Sequence, residues 1–155
     1  MSTVHPLIRP ARPSDREAVL AISAQVWGGE DYVPEVVDRW LADPDGEFSV
    51  ATLRGRVVGF SKLTRHGPGE WWLEGLRVDP RYRGRGVARR LHAHQLALVR
   101  RIGSGTLRYS TGDGNRASQH LGLSSGFRDI GHNLELRRNL VYCQHDHPRG
   151  RNVSF

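Results

Sequence analysis

Three consecutive segments with a two-residue hydrophobic period constrain the fold of this chain more than any other feature. The segments are EFSVATL (47–53), VVGFSKLT (57–64) and WWLEGLRV (71–78). An alternation of this length is typical of β-strands. The connections RGR and RHGPGE are short and contain glycine, which favours hairpin turns. Because such short connections join strands that run in opposite directions, the region predicts a three-stranded antiparallel meander.

The chain on both sides of the meander is mainly helical in its hydrophobic period. Ser14 followed by Glu17 predicts a capping box at the start of the first helix. The predicted elements are a short strand in 7–15, helices at 16–27 and 32–46, a long helix at 86–101, a strand at 106–111, a helix at 115–125 and a strand at 127–137. This order predicts an α/β fold of the α+β type. We expect one domain, 1–140, and a loose polar C-terminal tail, 141–155.

Charge and composition narrow the classes of partner. The net charge is +7, and Lys62 is the one lysine among 23 basic residues, so an anionic partner is expected. No apolar run approaches the ~20 residues of a membrane span, and the first residues lack the apolar stretch of a secretory signal. The single cysteine, Cys143, excludes an internal disulfide. These features predict a cytoplasmic protein that does not associate with membranes.

The stretch VDPRYRGRGVARRL (78–91) has the features of an anion site at a helix start. Gly84 and Gly86 permit positive φ, and the first N–H groups of a helix lack partners and attract phosphate. Arg83 and Arg85 add positive charge. The sequence after Gly86 does not match the nucleotide P-loop or the dinucleotide fingerprint. A simple strand-to-helix turn without a ligand is the alternative interpretation.

Two motifs resemble those of the GNAT superfamily of N-acyltransferases. Arg83-x-x-Gly86-x-Ala88 after a Val-Asp-Pro step looks like its acyl-CoA-binding motif, and NRASQHLGLSSGF (115–127) resembles its second block. The resemblance extends to about residue 140. It implies the GNAT fold: a mixed, mostly antiparallel central sheet of six to seven strands, flanked by about four helices. Within the superfamily, GGEDYVP together with LEGLRVDP is faintly similar to histidine N-acetyltransferases, and WLEGLRV is faintly similar to aminoglycoside 6′-N-acetyltransferases.

The resemblance also implies acetyl-CoA as the co-substrate and a place for it. In the family, the fourth and fifth strands splay apart and the pantetheine arm enters between them, and Gly75 would help form a bulge there. Strand backbone would pair with this arm, the helix start would hold the diphosphate, and an asparagine would contact the cofactor from the far side. The implied residues are Leu76, Arg77, Val78, Arg83, Gly84, Arg85, Gly86, Val87, Ala88, Arg89 and Asn115.

Acetyl transfer to an amine requires a neutral amine, so a positioned base is expected. Glu74 is the candidate, because strand alternation would place it on the same face as Leu76 and Val78. A solvated or ion-paired strand glutamate is the alternative. The family often supplies a proton to the leaving thiol from a tyrosine in the second block, but Gly122 stands there. His120 and Tyr109 are weaker candidates for this chemistry.

The segment after the first helix usually lines the acceptor site in this family, so Glu30, Asp31 and Tyr32 are candidates for binding the amine. We expect a small-molecule or amino-acid acceptor and no metal; Cys143, His145 and His147 in the tail are not expected to bind one. A peptide or protein acceptor, or a non-catalytic acyl-CoA sensor, remains open. A basic nucleic-acid-binding module that uses the Arg81–Arg101 strip is not favoured, because no nucleic-acid motif is present. A homodimer is left open.

Overall fold

The structure, a computed structural model, describes residues 5–102, 105–132 and 150–154. Its helices are α1 (Arg16–Ser23), α2 (Val33–Ala42), α3 (Val87–Ile102) and α4 (Arg116–Ser124). Its strands are β1 (Leu7–Pro10), β2 (Glu47–Leu53), β3 (Arg56–Gly67), β4 (Glu70–Val78), β5 (Thr106–Gly112), β6 (Arg128–His132) and β7 (Gly150–Ser154). They form one sheet in the order β1-β2-β3-β4-β5-β7-β6, in which only the β4–β5 pair is parallel. The expected mixed, mostly antiparallel sheet with four flanking helices is confirmed.

Helices cover both faces of the sheet, as the strand alternation dictates. Val50 packs in a cluster with residues of α1 and α2, whereas its neighbour Ala51 packs with Leu91 of α3. Successive side chains of a strand point to opposite faces, so α1 and α2 lie on one face and α3 on the other. The two faces are called here the α1/α2 face and the α3 face. The sheet therefore has a buried core on each side.

A bulge at Gly75 changes the face to which β4 side chains point. Phe60 pairs with Arg77 and Lys62 with Glu74, so β4 has one extra residue in this interval, and Gly75 has a φ of +64°. Before the bulge, Trp71 and Leu73 pack on the α3 face; after it, Leu76 and Val78 do. The expectation that Glu74 shares a face with Leu76 and Val78 is therefore wrong, because the extra residue shifts the alternation by one. Glu74 points to the α1/α2 face.

Strands β4 and β5 pair along only half of β4. The parallel pairing runs from Glu70–Thr106 to Leu73–Tyr109 and ends there. Beyond this point β5 continues its antiparallel pairing with β7, while β4 continues its pairing with β3. A gap therefore opens between the C-terminal halves of β4 and β5. The loop that leads into α3 begins after Val78, the last residue of β4, and thus lies beside this gap.

Two details differ from the sequence-based expectations. The predicted capping box of Ser14 and Glu17 does not form, because the N-cap of α1 is Asp15 and no side chain caps it. The Asp15 carboxylate instead accepts the backbone N–H of Arg12 at 2.7 Å and pairs with Arg9. Gly150–Ser154, in the segment expected to be a loose tail, forms β7 between β5 and β6. Backbone pairing requires no apolar side chains, which is why a polar segment can add a strand. Residues 133–149 lie outside the described residues, so the division at residue 140 stays a prediction.

Candidate active site

A buried aspartate organises the loop that leads from β4 into α3. Asp79 is 1% exposed and its backbone N–H donates to the carbonyl of Val58 on β3 at 2.9 Å. Its carboxylate accepts from the backbone N–H of Arg81 at 3.0 Å and from the Arg81 guanidinium at 2.7 Å. These bonds lower the pKa of Asp79, with the Arg81 side chain as the largest cause. The carboxylate therefore stays charged and anchors the turn to the sheet.

The two glycines of the loop leave open space above the backbone. Gly84 and Gly86 have φ values of +73° and +74°. A Cβ on Gly84 would meet no atom within 4 Å, and one on Gly86 would meet only the Arg89 guanidinium, at 3.7 Å. The glycines are needed for the shape of the backbone, because L residues rarely adopt this region. The space above them is available to a ligand.

Positive charge surrounds this open space. Arg83, Arg85 and Arg89 are all exposed, and the guanidinium of Arg85 lies over the Tyr82 ring at 5.4 Å. The side chain of Val87 is buried in the core, so of this residue only the backbone can face a ligand. Ala88 is partly buried in the first turn. Unpaired amides at a helix start, with exposed arginines around them, suit a diphosphate group.

Asn115 lies at the start of α4, the helix that follows β5. It is the N-cap of α4, and its Oδ1 atom accepts the backbone N–H of Ser118 at 3.2 Å. The side chain therefore has a structural role as a cap. Its contact with a cofactor stays a prediction.

Glu74 lies on the α1/α2 face at the point where the gap between β4 and β5 opens. It is partly buried, and the Thr64 hydroxyl donates to its Oε1 atom at 2.5 Å. Lys62, which is opposite Glu74 in the strand pairing, directs its ammonium group to the carboxylate of Asp43 and the carbonyl of Leu63. Glu74 is therefore a carboxylate oriented by a hydroxyl and positioned beside the gap.

Tyr32 lies next to Glu74 but is not itself suited to act as a base. Burial raises its pKa to about 12, and the negative charges of Glu74 and Asp31 act in the same direction, while Arg77 opposes them. The phenol therefore stays protonated at neutral pH. Its ring packs edge-on against Trp40 of α2, with centroids 6.0 Å apart.

Asp31 has partners within the protein, although the sequence analysis assigned it to the acceptor amine. Its side chain is 2% exposed and accepts two bonds from Arg77, at 3.1 and 2.9 Å, and one from the Ser23 hydroxyl at 2.9 Å. A carboxylate this fully bonded has little capacity for a ligand, so this geometry does not favour the assignment. Glu30, in the same loop, is exposed.

Trp27 and the side chain of Arg77 are site residues that the sequence analysis did not assign. The Arg77 guanidinium lies 5.3 Å from the ring centroid of Trp27 and 5.6 Å from that of Tyr32. A tryptophan directly before Gly28-Gly29 places a large ring at the turn that ends the first helix pattern, but this position by itself does not indicate a role in a site. The tertiary contact between this loop and β4 has no sequence signal.

Tyr109 explains why residue 122 is a glycine. Its hydroxyl donates to the carbonyl of Ser118 at 3.0 Å. A Cβ on Gly122 would lie only 1.9 Å from the Tyr109 hydroxyl oxygen. The phenol of β5 thus occupies the space that a side chain at position 122 would need. Burial raises the pKa of Tyr109, so the phenol stays protonated at neutral pH and is not suited to act as a base. His120, the other weaker candidate, is exposed on α4.

Other kinds of site find no support within the described residues. No group of three or more histidine, cysteine, aspartate or glutamate side chains in this part of the chain is arranged to hold a metal ion. None of the described helices combines the length and apolar character that a membrane span requires. Cys143, His145 and His147 lie outside the described residues.

Comparisons with known proteins point in one direction. The model of the acetyltransferase (GNAT) family matches residues 15–127. The N-alpha-acetyltransferase RimI of Mycobacterium tuberculosis is 31% identical over 122 residues, which cover 76% of this chain and 75% of RimI. A histidine N-acetyltransferase of Oreochromis niloticus is 37% identical over 79 residues, which cover 50% of this chain and 23% of that relative. The chain thus matches about a quarter of the length of the fish protein.

Among solved structures, Ard1 from Thermoplasma volcanium superposes with a TM-score of 0.81 at 23% identity, and the match covers 98% of this chain and 97% of Ard1. At this level of identity the likeness establishes a shared fold. It extends over nearly the whole chain.

Proposed function

The chain belongs to the acetyltransferase (GNAT) family, and from that premise we propose that it transfers an acetyl group from acetyl-CoA to a primary amine of a small molecule or amino acid. One observation carries the proposal. The gap that opens beyond Leu73 and Tyr109 has the arginine-rich loop of α3 at its entrance and the carboxylate of Glu74 beside it on the α1/α2 face. A helix start that could bind an anion and a carboxylate that could act as a base thus lie around one opening in the sheet.

The residues at the start of α3 fit the diphosphate of coenzyme A. The amides from Gly84 to Arg89, with Arg83 and Arg85 beside them, would bind it, and the open space above Gly86 gives it room. The backbone of Leu76, Arg77 and Val78 would bind the pantetheine arm as an added strand. When bound, acetyl-CoA supplies the acetyl group as a reactive thioester.

Glu74 would take the proton of the attacking amine. An α-amino group has a pKa near 8 and a lysine amine one near 10.4, so at neutral pH most of either is charged. The Thr64 hydroxyl holds one carboxylate oxygen and leaves the other to the amine, directly or through water. Because Gly122 has no side chain and Tyr109 is bonded to Ser118, solvent would protonate the leaving thiolate.

A protein or peptide amine is the second candidate acceptor. The relative named N-alpha-acetyltransferase is matched over three quarters of both chains, whereas the histidine N-acetyltransferase is matched over half of this chain. We favour the small acceptor because Trp40 of α2 packs against the bulge at Gly75 and the loop that carries Asp31 contacts Arg77, so both elements lie near Glu74.

The test is acetyl transfer itself. We expect acetyl-CoA to raise the melting temperature, with a stabilisation of about 2.7 kcal/mol at a hundredfold excess over its Kd. Free-thiol release is then measured with small amines and amino acids, and separately with peptides that have a free N-terminus. Release with the peptides alone would make the second candidate correct. A melt unchanged by millimolar acetyl-CoA would contradict both candidates, and a salt-sensitive shift with duplex DNA would support the nucleic-acid alternative.

A further inference from the structure

The one lysine of the chain is buried beside the candidate base. Lys62 is 1% exposed and lies directly opposite Glu74 in the pairing of β3 with β4. Side chains that are paired in this way share a face of the sheet, with Cβ atoms about 4.5–5.5 Å apart. The four-carbon stem of a lysine is flexible and spans such a separation. The ammonium group of Lys62 could therefore reach the carboxylate of Glu74 by a change of rotamer.

In the structure this ammonium group is directed away from Glu74 and towards the end of α2. Its Nζ atom donates to the carboxylate of Asp43, the C-cap residue of α2, and to the carbonyl of Leu63 at 2.8 Å. The ion pair of Lys62 is thus with Asp43. The Oε1 atom of Glu74 accepts instead from the Thr64 hydroxyl at 2.5 Å.

Several features of the chain hold the Lys62–Asp43 pair in this position. The backbone N–H of Asp45 donates to the Oδ1 atom of Asp43 at 3.0 Å and leaves the Oδ2 atom to the ammonium group. Burial acts to raise the pKa of Asp43, but the bonds from Lys62 and from the backbone of Asp45 and Gly46 outweigh it and lower the pKa. A Cβ on Gly46 would overlap with both charged groups, so only a glycine fits beside them. Asp43 is therefore charged at neutral pH, and the local chain is shaped around the pair.

The pairing of Lys62 affects what Glu74 can do. A buried ammonium group requires a carboxylate partner, because an uncompensated charge in the protein interior is strongly unfavourable. If Asp43 lost its charge, the carboxylate directly opposite Lys62 would be that of Glu74. A carboxylate that pairs with an ammonium group holds its negative charge more tightly and is a weaker base towards a substrate amine. Arg77, the next cation along β4, is held in the same way by Asp31.

We propose that Asp43 is a positioning residue for acetyl transfer: it holds Lys62 at the end of α2 and so keeps Glu74 free to accept the proton of the amine. This inference rests on the proposed function, which gives Glu74 that role. The alternative is that the Lys62–Asp43 pair only fastens the end of α2 to the sheet. The two interpretations differ in what happens when both partners of the pair are removed.

Asp43→Asn keeps the size of the side chain and removes its charge. With the small amine that releases thiol fastest in the parent protein, we expect kcat to fall at least about tenfold, part of the 10²–10⁴ that a positioned base contributes. The Kd for acetyl-CoA should not change. Asp43→Asn/Lys62→Met also removes the cation and should recover most of the lost rate. A pair that only fastens α2 predicts no recovery, because the double variant lacks the pair altogether.

The position of the ammonium group is measured without turnover. Because Lys62 is the one lysine of the chain, labelling with lysine that carries ¹⁵N at the ζ position gives a single side-chain NMR signal. In the parent protein, Glu74→Gln should leave this signal in place. In the Asp43→Asn protein, Glu74→Gln should move it, since the ammonium group is then paired with Glu74. Asp43→Ser, which admits water beside the ammonium group, is the second variant if Asp43→Asn does not fold.

Asp38→Asn is the matched control, because Asp38 is an exposed aspartate of α2 that pairs with Arg16. It should change neither kcat nor the Lys62 signal. A signal that moves as expected in a protein that acetylates no amine would contradict the proposed function and support the role of Asp43 in holding Lys62. A signal that ignores Glu74→Gln in the Asp43→Asn protein, or a double variant that is no faster than Asp43→Asn, would overturn the inference.

Discussion

Gly75 and Glu74 are neighbours on β4, and the positive φ of the glycine sets the direction of the carboxylate. The glycine is also required sterically, because a Cβ at this position would lie 2.3 Å from the Trp40 ring of α2. The bulge thus brings β4 close against α2 and leaves Glu74 on the same side as Tyr32 and Arg77. With a regular strand, Glu74 would share the α3 face with Leu76 and Val78 or would displace them from it.

Glu74→Gln keeps the size of the side chain and its bond with Thr64 but removes the base. We expect the acetylation rate to fall by roughly 10²–10⁴, the usual value of a positioned general base, with little change in acetyl-CoA affinity. The loss should shrink at high pH, where more of the amine is already neutral. Stopped assays of thiol release across pH 6–10 would measure both effects.

Glu70→Gln is the matched control for this substitution. Glu70 is an exposed glutamate on the same strand and pairs with Arg108 on the surface, so its replacement should leave the rate unchanged. A Glu74→Gln protein with parental activity would move the base role elsewhere, with His120 as the next residue to replace.

The identity of residue 122 is determined by Tyr109, which is distant from it in sequence and packs against it. Gly122 stands where the family often has a tyrosine, and the space beside it is filled by Tyr109 of β5. The pair is complementary in volume, since close packing tolerates only one large side chain there. Tyr109 is therefore best described as a core residue that contacts Phe127, with ring centroids 5.1 Å apart.

At the scale of elements, three features fix the conformation of the short loop from β4 to α3. Asp79 fixes the end of the strand, the glycines turn the chain with positive φ, and Val87 anchors the first turn of α3 in the core. Fixing both ends of the loop holds its amides in place before any ligand arrives. This preorganisation is what an anion site needs, because the ordering cost is already met on folding.

Gly86→Ala tests whether the loop binds a ligand or only turns the chain. Alanine at a φ of +74° is strained by about 1–2 kcal/mol, and its methyl group would project into the proposed diphosphate site. We expect a lower melting temperature and a Kd for acetyl-CoA at least about tenfold higher, a loss of 1.4 kcal/mol or more. Melting curves and calorimetric titration measure the two effects separately.

Gly55→Ala separates backbone strain from ligand contact. Gly55 has a φ of +78° in the β2–β3 turn, and a Cβ there would meet no atom within 4 Å. It should lower the melting temperature to a similar extent and leave the Kd unchanged. If both variants bind acetyl-CoA equally well, the loop is a structural turn and the cofactor site lies elsewhere.

At the scale of the whole molecule, the packing of α3 against the sheet buries one titratable residue, His92. His92 is 7% exposed, its ring lies 5.7 Å from that of Phe127, and its Nε2 atom has no hydrogen-bond partner among the described residues. Burial lowers the pKa of His92 to about 4. The folded protein therefore holds this imidazole in its neutral form.

We predict that this histidine makes the protein sensitive to mild acid. The folded pKa lies below that of the unfolded state, about 6.5, so the unfolded chain binds more protons between these two values. Stability should be complete above pH 6.5 and fall as the pH is lowered towards 4, by at most about 1.4 kcal/mol per pH unit from this group. His92→Phe should flatten the dependence between pH 6.5 and 5, as measured by urea denaturation.

His94→Gln is the control, because His94 is two residues away but pairs with Glu47 and is only partly buried. It should retain the acid sensitivity of the parent protein. An unchanged slope in His92→Phe would assign the sensitivity to other groups.

The sequence by itself determined the order of the elements up to β6, the meander and the glycine-rich helix start. These are local properties: alternation and turn composition act within a few residues, so EFSVATL could be assigned as β2 with the bounds found in the structure. It also indicated the bulge at Gly75, because a glycine inside a strand pattern has few other uses.

Only the tertiary structure decided what the side chains of the site do. Asp31 is an ion-pair partner because the loop after α1 packs against Arg77 of β4, 46 residues away in sequence. The sheet face to which Glu74 points depended on how many residues the bulge adds. The space available to a side chain at position 122 depended on Tyr109, which belongs to another element. Such facts arise when separate elements compete for one volume and one set of hydrogen bonds, and no local pattern in the chain encodes the outcome of that competition.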